Sequence, residues 1–352
     1  MYRTIRLTKK DILHFTFQLS ILMNQNYLLP DGISLIKATT PDKKIRNWLE
    51  KVMFHLQEGE SFVGALQKET QGLSHFYLSV VRSGESSGSL GIHMKRLYDF
   101  LRARNRYESK MKKASFYPVF LMILTVCISL LMLIFLLPML QSMAETLQVS
   151  LPASVTRLLG LIHFLRQYAW ISVVIIILTG LVGRLFYQKN RYIVHGFTLL
   201  VPFVGPWIRK NNLFLFFQEL SLLLKDQIPV EEAIPIASQS IHNIYLRDQI
   251  ELSSIPLQNG KTITDTLRKF PGKDTFLLSM IKSGEESNQL CENIDFALQV
   301  LEQELEERQE RFVSSIEPVM LLVIGAVVLL LVINLYFPIF QMINSVDMIS
   351  TL

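Results

Sequence analysis

Cysteine is almost missing from this chain of 352 residues. There are two, Cys127 and Cys291, and neither belongs to a CxxC pair. That excludes a disulfide framework and a thiolate metal centre. Histidine is sparse too. The seven (His14, His55, His75, His93, His163, His195, His242) form no i, i+4 pair and no HExxH, so no zinc-hydrolase helix is legible. Period-two alternation of apolar and polar residues is scarce, which argues against strands. Charge is thin at 18% of residues, and it vanishes from two long runs, Val119–Leu137 and Val319–Phe337. No cleavable apolar core follows the basic start MYRTIRLTKK, so a signal peptide is not expected.

Half of the residues are apolar, and they are blocked rather than dispersed. A third run, Ala169–Tyr187, carries one ionisable residue, Arg184, near its end. A run of about 19 residues is roughly 28 Å as helix, enough to cross a hydrocarbon core. The fold class expected is therefore all-α: a polytopic membrane protein with two helical-bundle modules in the cytoplasm and three transmembrane helices. Arg102, Arg104, Arg106, Lys110, Lys112 and Lys113 precede the first run, whereas 141–167 holds only Arg157 and Arg166 and the tail after Phe340 has no Lys or Arg. The positive-inside rule then places the N-terminus inside and the C-terminus outside, in the cell membrane. The segments expected are module 1 (1–117), span 1 (118–140), an outer loop (141–167), span 2 (168–187), module 2 (188–317), span 3 (318–340) and an outer tail (341–352).

The chain repeats itself at an offset of about 200. Leu19-Ser20 matches Leu220-Ser221, and Gln57 and Gly59 match Gln258 and Gly260. Ser83-Gly84-Glu85, Ser87 and Leu90 match Ser283-Gly284-Glu285, Ser287 and Leu290; Pro118 matches Pro318, and Pro138 matches Pro338. Within each copy the periodicity is helical: Phe15, Leu19, Leu22 and Met23 recur as Phe216, Leu220, Leu223 and Leu224. Thr8 and Asp11 are candidate caps, and Gly59-x-Ser61 and Gly260-x-Thr262 read as a helix end followed by a start. The two Ser-Gly-Glu segments read as turns in which Glu85 and Glu285 cap the following helix. Pro118 and Pro318 read as helix starts, and Pro138 and Pro338 as ends or kinks. Residues 1–118 carry 19 basic and 10 acidic side chains, and 188–317 carry 13 and 18. Copies of opposite charge can pair with each other or offer separate faces to separate partners.

Several motifs suggest chemistry and fail on context. Gly84-Glu85-Ser86-Ser87-Gly88 fits GxSxG, but it lacks a preceding strand, and its repeat, Gly284-Glu285-Glu286-Ser287-Asn288, has no nucleophile at the matching position. Gly260-Lys261-Thr262 resembles the end of a phosphate loop, yet Ile255 stands where the first glycine belongs. The acidic stretches Glu231-Glu232 and Glu304–Glu307 read as solvated helix faces, with a divalent cation as the alternative. The basic run beside the first apolar stretch reads as a topology and lipid signal, not a nucleic-acid site. Central spans without charge argue against a carrier, and the prolines and glycine of Pro202, Gly205 and Pro206 argue against a further span.

The paired Ser-Gly-Glu-x-Ser segments with Leu90 and Leu290, the paired Pro118 and Pro318, and Val201-Pro202-Phe203-Val204-Gly205-Pro206-Trp207 leading into Phe216-Phe217-Gln218-Glu219-Leu220-Ser221 resemble the GspF/PilC family. These are platform proteins of type II secretion, type IV pilus and competence-pseudopilus machines. The early start of the first module is similar to the short, ComGB-type members of Gram-positive bacteria. The resemblance implies a non-enzymatic inner-membrane platform that needs no cofactor or metal. It couples a cytoplasmic hexameric ATPase to the extraction of pilins or pseudopilins from the lipid bilayer, here for DNA uptake. It also implies homo-oligomers and no direct nucleic-acid binding. A transporter or channel component is the alternative.

Overall fold

A computed structural model describes residues 5–146, 190–202, 204–258, 262–268 and 274–350, together with 160, 178, 179, 181, 184 and 188. The first copy contains α1 (Lys9–Asn24), α2 (Leu29–Thr39), α3 (Lys43–Gln57), α4 (Phe62–Glu69), α5 (His75–Ser86) and α6 (Leu90–Thr146). The short α7 (Arg191–Thr198) follows, and then α8 (Val204–Lys225), α9 (Val230–Ser238), α10 (Ile244–Gln258), α11 (Ile263–Leu267), α12 (Thr275–Ser287) and α13 (Leu290–Ser350). Helices α1–α6 therefore map one for one onto α8–α13. The duplication reaches the backbone: Asn26 and Gln227, 201 residues apart, both take left-handed φ values, of 62° and 60°. Gly88 and Asn288 do likewise, at 67° and 57°. Asn accepts that conformation at small cost, so it can stand in for glycine there.

Local chemistry explains the helix starts. Thr8 accepts a hydrogen bond from the Asp11 N–H while the Asp11 carboxylate accepts from the Thr8 N–H, a reciprocal box in which Thr8 is the cap and Asp11 its partner. Ser61 caps α4 and Thr262 caps α11 in the same way at their third residues. Gly59, at φ 86°, ends the preceding helix in the first copy; Gly260 and Lys261 lie outside the described residues. Ser74 and Asp274 cap α5 and α12. Two-residue strands, Ile5–Arg6 and Thr70–Gln71, pair in parallel and tie the chain start to the end of α4.

Two compact units result: Met1–Ser109 with Arg191–Glu306, and Lys110–Asn190 with Glu307–Leu352. The first unit holds both copies of the repeat. Its core contains Phe15, Leu19, Trp48 and Phe62 from copy 1 and Phe216, Leu220, Leu223 and Ile281 from copy 2. Phe15 meets Trp48 edge-on at 4.9 Å, and the indole N–H donates to Thr70 Oγ1 at 2.8 Å. Leu22, Met23 and Leu224, expected on the same apolar stripe, are half-buried.

The expectation of a polytopic protein with three transmembrane helices is corrected. Among the described residues, no helix is long and apolar enough to cross a membrane. A crossing needs about 20 consecutive apolar residues. Helices α6 and α13 have 57 and 61 residues, and each joins a charged stretch, 95–113 or 302–311, to an apolar one. Of the second expected span, 169–187, only 178, 179, 181 and 184 are among the described residues. Phe116, Phe120 and Ile123 of α6 and Leu321, Leu322 and Leu329 of α13 stand exposed, apolar surface that the chain itself does not cover.

The readings of Pro118 and Pro318 as helix starts, and of Pro138 and Pro338 as helix ends, are corrected as well. Pro118 and Pro318 lie well inside α6 and α13, and Pro138 and Pro338 lie inside the same helices. A proline inside a helix removes one ladder hydrogen bond, about 3 kcal/mol, and here the helix continues on both sides of each. Pro202 falls in the turn before α8, and Gly205 and Pro206 in its first turn, where a missing N–H costs nothing. A Cβ on Gly205 would lie 2.8 Å from the Leu199 carbonyl carbon, so that turn accepts only glycine.

The Ser-Gly-Glu segments are the last turns of α5 and α12, not turns between helices. Their glycines let the next helix approach. A Cβ on Gly84 would sit 2.9 Å from His93 Cβ and 3.2 Å from Leu90 Cα, and one on Gly284 would sit 2.8 Å from Leu290 Cα. Leu90 and Leu290, the first residues of α6 and α13, therefore pack directly on those glycines. Because the obstacle is backbone, Gly284→Ala is expected to cost ~1–3 kcal/mol by overpacking, and Gly84→Ala a comparable amount. A thermal melt of each variant checks this; melting unchanged from the parent would show that the helix pairs can part freely.

Candidate functional site between the two copies

The glutamates of the paired motif reach backwards. Glu85 accepts from the Phe62 and Val63 N–H groups, at 2.6 and 3.2 Å. Glu285 accepts from Ile263 and Thr264, at 2.5 and 3.1 Å, and also from the Thr264 hydroxyl. Each carboxylate thus sits on the N-terminus of the preceding helix, α4 or α11, not of the following one. Two orphan N–H groups and the positive helix end both favour an anion there. Each motif in this way locks three helices of its copy, through the glutamate on one side and the glycine on the other.

Ser83 instead joins the two copies. Its hydroxyl donates to the Asp226 carbonyl at 2.9 Å. Arg96, three residues past His93 on α6, donates through Nη1 to Asp226 Oδ1 at 2.8 Å and to the Lys225 carbonyl at 2.9 Å. The Asp226 carboxylate is buried, and burial pushes its pKa up while Arg96, His93 and Lys225 pull it down. Two turns on, Arg104 Nη1 donates to the buried Glu219 carboxylate, and its Nε lies 3.5 Å from Glu108. Burial pushes Glu219 up to about 7 against the opposing pull of Arg104. Tyr107 completes the row. Its hydroxyl donates to Asn211 Oδ1 at 2.8 Å and its ring lies 4.8 Å from that of Phe214. Burial, aided by Glu302 and Glu306, raises its pKa.

Residues of α5 and α6 in copy 1 therefore lie along α8 of copy 2, with basic groups on the first and acidic groups on the second. Of the two uses that the opposite net charges allowed, pairing with each other is realised. Beside Glu219 the copies leave a cavity of about 320 Å³, lined by Lys9, Leu13, Tyr77, Phe100, Glu219 and His242 among others. Its charged groups are already matched, Lys9 with Glu108 at 2.6 Å and Arg104 with Glu219.

Ser83, His93 and Asp226 have the composition of a hydrolytic triad but not its arrangement. Both Ser83 Oγ (3.4 Å) and Asp226 Oδ1 (3.7 Å) approach the same ring nitrogen, Nε2, while Nδ1 faces Ser89. A relay needs the serine on one nitrogen and the acid on the other. Ser86, the serine of GxSxG, donates to the Ser83 carbonyl within the helix end.

Among the described residues, one group has ligands close enough for a metal ion: His55, Glu58 and Glu60, whose ligand atoms lie within 4.8 Å of one another. Lys68 pairs with Glu60, and Lys51 lies 3.2 Å from Glu69, which in turn faces His55 Nε2 at 3.3 Å. The acids there are matched by bases, so the arrangement is an ion-pair network. The acidic run at 302–310 is likewise partly engaged, Glu304 with Lys210 and Glu307 with Arg311 at 3.1 Å.

Comparison with known proteins agrees with the duplication. The family model described as type II secretion system (T2SS), protein F matches twice, at residues 15–138 and 216–338. The two matches start 216 − 15 = 201 and end 338 − 138 = 200 residues apart, the offsets found in the sequence. The type II secretion system protein F of Pseudomonas aeruginosa is 27% identical over 96% of this chain and 84% of its own length. The type IV pilus assembly protein PilC of Thermus thermophilus is 25% identical, with the same shares covered. The protein transport protein HofC homolog of Escherichia coli is 22% identical over 94% of this chain and 83% of its own.

Proposed function

The chain belongs to the type II secretion system protein F family, non-enzymatic assembly platforms of the inner membrane, and from that premise we propose that it couples a cytoplasmic hexameric ATPase to the assembly of a pilin-like filament. The observation that carries the reading is the pairing of two family copies in one unit through Arg96–Asp226 and Arg104–Glu219. A coupling part has to pass force between a motor and a filament without shearing. Two ion pairs on buried acids, each with its base on copy 1 and its acid on copy 2, hold the copies in one register.

The helical unit Met1–Ser109 with Arg191–Glu306 faces the cytoplasm in this reading, where the motor is. The filament we assign is a competence pseudopilus that takes up DNA, on the resemblance to the ComGB-type members. Pilins or pseudopilins are then the cargo, DNA itself is not touched, and several copies of the chain assemble. The paired motif residues Ser83, Gly84, Glu85 and Leu90, with Ser283, Gly284, Glu285 and Leu290, act as the internal braces of this unit.

Deleting the gene is expected to leave pilin-like subunits in the membrane while filaments and DNA uptake are both lost. Normal filaments in the deletion strain would refute the platform reading. Lost filaments with unchanged DNA uptake would refute the competence assignment alone.

A further inference from the structure

The internal interface is heterologous: copy 1 contributes its α5–α6 face and copy 2 its α8 face. By the repeat, copy 1 also owns an α8-type face on α1, and copy 2 an α5–α6-type face on α12–α13. Both remain bare. Leu222, on the stripe between Glu219 and Asp226, is 7% exposed, and its equivalent Ile21 is 41% exposed. Phe76 and Phe100, which meet copy 2 at the cavity, are 3% and 8% exposed, and their equivalents Phe276 and Val300 are 38% and 36% exposed. Ser83 is half-buried against Asp226, while Ser283 and Gln25 at the matching positions are both exposed.

The uncovered α1 stripe is continuous. Lys10, His14, Phe17, Ile21 and Gln25 follow at helical spacing and all are exposed. Where the inner interface pairs Arg96 with Asp226, the outer faces offer Phe296 and Gln25; where it pairs Arg104 with Glu219, they offer Glu304 and Gln18. The one charge among these four, Glu304, is already paired with Lys210 within its own chain, so none of them brings an unpaired charge to the contact.

We propose that the occupant of these faces is a second copy of this chain: α12–α13 of one protomer seats on the α1 stripe of the next and repeats the internal interface. A heterologous contact leaves one free face of each kind at every step, so it continues until it closes on itself. The two modules of each chain then alternate around a ring. This inference does not depend on which filament is assembled.

The test uses the full chain in mild detergent, in a background with Cys127→Ser and Cys291→Ser. One preparation carries Gln25→Cys and another Ser283→Cys. After mixing, a short bis-maleimide is expected to join the two variants into a species of twice the mass, with neither variant joining to itself. Self-joining of Gln25→Cys alone would instead show an isologous contact and overturn the proposal, as would a mixed sample that remains unjoined. Independently, native mass measurement of the parent is expected to show a closed multiple of the chain, and Ile21→Asp to weaken self-association about tenfold or more without changing the thermal melt. A parent that is monomeric at every concentration would also overturn it.

Discussion

An Arg104→Ala chain is expected to unfold about 3 kcal/mol more readily than the parent at pH 8, because it leaves the Glu219 carboxylate buried without its partner. At pH 5.5 the same substitution should cost only ~1 kcal/mol, the value of one hydrogen bond. The difference follows from where Glu219 titrates. Burial already holds its carboxyl at about 7, against an ordinary 4.5, with Arg104 pulling it down; without Arg104 it moves higher still. A folded pKa above the unfolded one means that the folded chain holds the proton more tightly. Its contribution is fully present below about 4.5 and is lost as pH rises through about 7. The parent should therefore lose stability across that window, and Glu219→Gln should flatten the slope. Urea midpoints of the helical signal at the two pH values decide it. An equal penalty for Arg104→Ala at both would show that Glu219 does not change its protonation between them.

Glu285→Ala and Glu85→Ala should each cost ~2–4 kcal/mol, since each strands two helix-terminal N–H groups and removes an anion from a positive helix end. Replacement by glutamine keeps one acceptor oxygen and should cost about half as much. The two sites share no partner, so the double variant should lose the sum of the two. Amide exchange localises the effect: Phe62 and Val63 should lose protection in Glu85→Ala, and Ile263 and Thr264 in Glu285→Ala. Loss at the start of α6 or α13 instead would mean that these glutamates brace the following helix after all.

The helices and their duplication were legible because they depend on near neighbours: apolar residues at helical spacing, and caps such as Thr8 and Ser61 a few positions from the N–H groups they serve. The glutamate braces were read in the wrong direction. Glu85 acts on Phe62 and Val63, more than twenty positions back at the start of the preceding helix, and the only trace in the sequence is that Glu285 stands at nearly the same distance from Ile263 and Thr264. The close approach at Gly84 and Gly284 was likewise visible only as a repeated glycine. Arg96–Asp226 and Arg104–Glu219 join residues more than a hundred positions apart, beyond any local rule, though the opposite net charges of the copies pointed at them. Pro118 and Pro318 failed for the converse reason: a local preference for helix starts was overridden by ladders on either side. The apolar runs were plain in composition, but among the described residues they do not amount to a crossing helix.

The order of synthesis gives the internal interface one more consequence. The first copy leaves the ribosome well ahead of the surface that covers it. The half it must hold bare in the meantime mixes Phe76, Phe100 and Tyr107 with His93, Arg96 and Arg104, side chains that water and counterions solvate. Leu222 on α8 belongs to the copy made second, when its cover already exists. Exposed apolar surface during folding is what drives nascent chains into aggregates. Charged side chains set among those aromatic ones make the waiting surface less adhesive than an apolar face of the same size.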